Sequence, residues 1–260
     1  MVKKLTSFLI RRTELRSLAK GIFATLALIF VSSASFSWFS LIVLVLVLGS
    51  LYLSQPRERA HVRVSFWASA ILAAIGIGLI GAVPAPVQDT LFRAIILVSF
   101  LAAQFALFSL MNLEVQWRAP VYATVNSVLM FGVGVVFFTL NQPAFIDISF
   151  IAQIFPIGVF VGTALLVHEA LTFTGKGGRL RMWALAAISG FIAVETATLV
   201  LFLPLGVVNA AVVLALILTF VRDTLSAHLA GVLSASFVLR ELVIFVVILV
   251  AVFALSPWSV

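Results

Sequence analysis

RMWALAAISGFIAVETATLVLFLP, residues Arg181 to Pro204, decides what kind of protein this chain is. At about 1.5 Å of rise per residue, a helix of this length crosses a hydrocarbon core of roughly 30 Å. The apolar residues run continuously, whereas a strand of a membrane barrel would alternate. Near the middle stands Glu195, the acidic residue deepest in any apolar run of the chain. A carboxyl group there costs roughly 2.5–3.5 kcal/mol on insertion scales unless protein or water receives it.

Working outward, similar runs recur along the whole chain. They place spans at 21–36, 39–54, 64–83, 90–112, 119–140, 149–167, 181–204, 207–221 and 242–255. The fold class expected is all-α: a polytopic transmembrane helix bundle of about nine spans (eight to ten), with the N-terminus cytoplasmic. Composition agrees, since 63% of the residues are hydrophobic and 10% charged. That is too little charge to cover a water-soluble domain of this size. Between the last two spans, Thr224 to Leu239 is short and serine-rich and reads as an interfacial helix.

Orientation follows from the loops. With the N-terminus inside and nine alternating spans, every one of the sixteen Lys and Arg residues except Arg93 falls on the cytoplasmic side. Asp89 and Asp147 lie outside. This is the asymmetry of the positive-inside rule. The five Trp and two Tyr residues, Trp38, Trp67, Trp117, Trp183, Trp258, Tyr52 and Tyr122, stand at or near span ends, where amphipathic rings prefer the interface. The net charge of +7 is therefore assigned to topology, and nucleic acid is not expected as a partner. Localisation in the cell (cytoplasmic) membrane follows.

Residues 1–20 form a basic cytoplasmic segment, with Lys3, Lys4, Arg11, Arg12, Arg16 and Lys20 against Glu14. It is expected to lie on anionic inner-leaflet lipids, as an interfacial helix. A secretory signal is the second reading of the basic start and short apolar core. Residues 21–260 then form one transmembrane helical domain.

Several apparent motifs fail on context. GIGLIG at 76–81 matches a dinucleotide fingerprint, but that motif works only as a turn from strand to helix, and here it lies inside a span. TGKGG at 174–178 lacks the spacing of a phosphate loop. His168-Glu169 begins a zinc motif whose second histidine is missing, since Thr172 stands in its place. The chain has no cysteine. No catalytic, cofactor or metal residues are assigned, and no cofactor is expected.

Small residues at every fourth position read as helix-packing surfaces. They are Ala70, Ala74, Gly78 and Ala82; Gly158 and Gly162; and Ser189, Ala193 and Ala197. Pro156 is the proline expected inside a helix, where it leaves a carbonyl without its donor.

Polar residues within spans form two candidate groups. Glu195, Arg93, Gln153 and Asn209 fall in the outer half of their spans, and Arg93 is long enough to reach a carboxylate. Gln104 and Asn126 sit at matching depths in adjacent spans and are expected to hydrogen-bond to each other. The leading functional expectation is a membrane scaffold or small-ligand binder without catalysis. The alternative is a small secondary transporter using Glu195, and a third is a membrane enzyme at the cytoplasmic face. No stretch resembles a known family closely enough to carry residues over from one.

Overall fold

The structure, a computed structural model, describes residues 13–33, 38–53, 62–82, 86–110, 115–142, 149–174 and 178–255. Among them it is almost entirely helical, with nine α-helices and no strand. They are α1 (Thr13–Ser33), α2 (Trp38–Leu53), α3 (Arg63–Ala82), α4 (Pro86–Ser109), α5 (Val115–Leu140), α6 (Ser149–Thr174), α7 (Arg179–Leu201), α8 (Val207–Ala230) and α9 (Ala235–Leu255). Five stretches are long and apolar enough to cross a membrane: 117–140, 155–173, 179–201, 207–230 and 235–254. The polytopic helical architecture is therefore present, one helix for each span read from the sequence.

The described helices begin and end where backbone chemistry allows. α7 starts after Gly178, and its end is closed by the N–H of Phe202 on the carbonyl of Leu199 and the N–H of Leu203 on the carbonyl of Val200. Pro204 then turns the chain, with the N–H of Leu205 donating to the carbonyl of Leu203 at 2.7 Å. Three residues joined that tightly leave α7 and α8 antiparallel neighbours. α8 ends at Gly231, whose φ of 72° is the left-handed value that only glycine adopts without strain. The N–H of Val232 reaches the carbonyl of Ala227, and that of Gly231 the carbonyl of His228, which together form a Schellman cap.

This cap corrects one boundary. No separate interfacial helix occupies Thr224 to Leu239; α8 continues to Ala230 and α9 begins at Ala235. Arg222 and Asp223 interrupt the apolar run but not the helix, because their charges meet each other and helical backbone bonds need no apolar side chain. The described helix α1 likewise starts at Thr13 and runs unbroken past Lys20 and Gly21. Residues 1–12 lie outside the described residues. Pro156 is also not the one proline within a helix. α5 starts at Val115, so Pro120 lies inside it, little more than a turn from its start.

The chain divides into two compact units, 1–125 and 126–260, and the boundary falls within α5. In the first unit α1 packs on α4 and α2, and α3 on α4. Phe66 and Phe108, both essentially buried, meet edge to face at 5.8 Å, and Tyr52 lies 5.5 Å from Phe66. Ser17 Oγ donates to the carbonyl of Phe108 at 3.1 Å, joining α1 to α4.

In the second unit α6 and α7 form the closest pair. Lipid tails are as apolar as leucine, so packing and hydrogen bonds rather than water exclusion must hold such helices together. The buried face of α7 is built from Ala186, Ser189, Gly190, Ala193, Ala197 and Val200, in agreement with the stripe of small residues. Gly190 is the closest approach: a Cβ there would lie 2.7 Å from the carbonyl oxygen of Phe160. Gly134 is similar, 3.2 Å from Ala211 of α8.

Two other stripes differ from expectation. Gly158 meets no described atom within 4 Å of an added Cβ, and Gly162 has ordinary contact with Val133. On α3 the buried face passes through Phe66, Ala70, Ala73 and Ile77 rather than Ala74. The side chain of Ala82 and the surroundings of Gly78 lie outside the described residues. Spacing alone marks where a helix can pack closely, not which of its faces does.

Candidate functional site

The densest polar arrangement among the described residues centres on Arg222, which is 3% exposed on α8. α8 carries Thr219, Arg222 and Asp223 to the same level as Asn126 and Ser127 of α5 and Leu166 of α6. Arg222 Nη1 donates to Asn126 Oδ1 at 3.0 Å and to Ser127 Oγ at 3.1 Å. Nε and Nη2 reach Asp223 Oδ1 at 2.9 and 2.8 Å. Asn126 Nδ2 donates onward to the backbone carbonyl of Leu166 at 3.2 Å, and Thr219 Oγ1 donates to Ser127 Oγ at 3.3 Å. Three helices, α5, α6 and α8, are thus joined by one network.

The physical logic is neutralisation. A guanidinium carries its charge everywhere in a protein, and its planar fork needs several acceptors. Asp223 supplies the opposite charge from the next residue of the same helix, so the pair enters the bilayer with no net charge. Charge-assisted bonds of this kind are stronger than neutral ones. Asn126 acts as a relay: its oxygen accepts from the cation and its amide donates to α6. Glu241 of α9, bonded to Arg240 at 2.8 Å, lies within electrostatic reach of Asp223.

A second group gathers at the ends of α6, α7 and α8. Arg181 Nη2 and His228 Nε2 lie 2.7 Å apart, and the ring of His168 stacks on Trp183 at 3.8 Å with planes 22° apart. Thr172 Oγ1 donates to the carbonyl of His168. Among the described residues no three His, Asp or Glu side chains are placed to hold a metal ion, and His61 lies outside them.

The residues singled out in the sequence fall as follows. Gln104 is fully buried, and its amide donates to Ser69 Oγ at 2.7 Å within the first unit. Asn126 is fully buried as well, but it takes Arg222 and Leu166 as partners within the second unit. Each of the two thus has a partner other than the one expected. The reason lies in the helix surface, where matching depth leaves the direction around the axis open.

Glu195 is exposed on α7 and makes no hydrogen bond or ion pair with any described residue. Asn209 is half-buried in the first turn of α8. Arg93 and Gln153 stand on α4 and α6, but their side chains lie outside the described residues.

Reasoning from sequence missed Arg222, Ser127 and Thr219. A signal was present: Thr219, Arg222 and Asp223 recur at helical spacing, and extending the eighth span by one turn would have buried them. Tyr122, near the start of α5, is buried against protein, 3% exposed. Compared with family profiles, with characterised proteins and with solved structures, the chain matches none.

Proposed function

We propose that this chain is a multi-pass membrane scaffold or small-ligand binder without catalytic activity. It sits in the cell membrane with its N-terminus and nearly all its cations in the cytosol, and its basic start rests on anionic inner-leaflet lipids. The observation that carries the reading is the saturation of Arg222. A guanidinium kept for a substrate leaves donors open, whereas this one spends Nε, Nη1 and Nη2 on Asp223, Asn126 and Ser127. Side chains so committed lock helices together; they do not turn over a substrate.

A second reading, a small secondary transporter, is favoured by one observation. Glu195 is exposed on a membrane helix with no partner among the described residues, as an ion-accepting carboxylate would be. Flux in reconstituted vesicles separates the two. Under an imposed pH gradient or membrane potential, the scaffold reading expects ion and proton flux equal to protein-free vesicles. Flux that disappears in Glu195→Gln, with the folded protein retained, would overturn it in favour of transport. Single cysteines at Asp89, Asp147 and Lys176 test the orientation. An impermeant thiol reagent applied to intact cells should label the first two and spare the third.

A further inference from the structure

Four acidic side chains of the second unit are described: Glu169, Glu195, Asp223 and Glu241. Asp223 and Glu241 hold arginines, and Glu169 is buried and engaged. Glu195 alone has no partner among the described residues. Its depth makes this costly. Leu201, the last residue of α7, lies six positions further on, about 9 Å along the axis. Phe202, 82% exposed, and Leu203, 39% exposed, stand beyond Glu195 and extend the apolar surface past it. A glutamate side chain is too short to reach water across that distance, and intramembrane carboxyls ordinarily face protein.

The surroundings of Glu195 on the helix have a pattern of their own. Ala184, Ile188, Phe191, Glu195, Thr198 and Phe202 are all exposed. Their spacing is four, three, four, three, four, which is the seam of a left-handed helix pair. The opposite side of α7 is already spent within the unit, with Gly190 against Phe160 and Ala164 of α6 and Ala193 buried. α7 therefore carries two packing faces and fills one of them within its own unit.

We propose that two copies of this chain associate through α7, with Glu195 and Thr198 of each copy meeting across a twofold axis. The choice of a second copy follows from chemistry and insertion. Identical chains insert with the same orientation, so α7 meets α7 in parallel and Glu195 faces Glu195 at equal depth. A carboxylic acid group both donates and accepts, so it complements itself, as a twofold interface requires. Thr198 spends its proton on the carbonyl of Val194 and keeps an acceptor outward. No arginine on α7 can serve instead, because Arg181 lies about 21 Å away along the axis. The inference goes beyond the scaffold reading, and vesicle flux does not bear on it.

The chain has no cysteine, which makes the test direct. The full-length protein carries Phe191→Cys, Thr198→Cys or Ala193→Cys and is oxidised in its own membranes with copper phenanthroline. Disulfide-linked dimers are expected at 191 and 198, and none at 193, which is buried within its own chain. Adding Glu195→Leu to Phe191→Cys should lower the linked fraction roughly tenfold, since an interhelical hydrogen bond adds about 1–2 kcal/mol. Glu195→Gln should preserve it, because an amide is also self-complementary. Because position 195 is exposed, both variants should elute from gel filtration as folded protein. Equal linking at 191, 193 and 198, an absence of linked dimers, or linking unchanged by Glu195→Leu would overturn the proposal. A disulfide within one chain between Arg93→Cys and Thr198→Cys would also overturn it, by showing that the chain covers this face itself.

Discussion

Arg222 of α8 and Glu195 of α7 are both charged residues on long apolar helices, and the protein treats them oppositely. Arg222 is sunk among α5, α6 and α8 and finds a counter-charge one residue away, with two neutral acceptors on a neighbouring helix. Glu195 lies on an exposed face between Phe191 and Leu199, 61% and 67% exposed, with no described partner. Membrane insertion penalises both. The contrast teaches that the second unit resolves one such penalty internally and leaves the other for something outside that unit.

The largest effect expected is at the internal pair. Arg222→Met removes the cation but leaves Asn126 buried and Asp223, whose side chain is 35% exposed, without its partner. Losing charge-assisted hydrogen bonds to both costs about 3 kcal/mol. Thermal unfolding of detergent-purified protein should show a large loss of stability. Arg222→Met with Asp223→Leu should recover part of it, since no charge is then stranded. If the double variant is no more stable than the single one, the Asp223 contribution to the network is refuted.

A middle-sized effect separates the two faces of α6. Gly190→Ala drives a Cβ to 2.7 Å from the backbone oxygen of Phe160, which cannot rotate away. Overpacking of this kind costs about 1–3 kcal/mol. Gly158→Ala meets no described atom within 4 Å and should not lower the melting temperature. Equal shifts for the two would mean that α6 packs with a different face. The smallest effect belongs to Glu195→Gln, which should not measurably change unfolding of the detergent-dispersed monomer. A large destabilisation there would show that the carboxyl already has a partner within its own chain, and would erase the contrast with Arg222.

Much of the architecture was legible before any coordinates. Helix number and approximate position came from run length, because a bilayer demands about twenty apolar residues however they are ordered within the run. The buried stripe through Ser189, Ala193 and Ala197 was also visible, since small side chains are what permit helices to approach. Boundaries were less legible. The end of α8 was drawn at the first charges, although the determining residue is Gly231, nine positions further on, which alone among the described residues adopts the left-handed backbone.

The polar site was read in part. Asn126 and Gln104 were recognised as buried, but each was given the other as partner. Depth along a helix is a linear count, whereas direction around it depends on where the helix begins, tilts and meets its neighbours.

By itself the amino-acid order determined that this is a helical membrane protein, because each apolar run must satisfy its own backbone hydrogen bonds in the bilayer, and a helix does so locally. Tertiary structure decided which polar groups meet: Arg222 with Asn126 and Ser127, Gln104 with Ser69, and Glu195 with none among the described residues. Those pairings join residues up to 96 positions apart. They depend on the rotation of each helix against its neighbours, a property no single stretch of sequence carries.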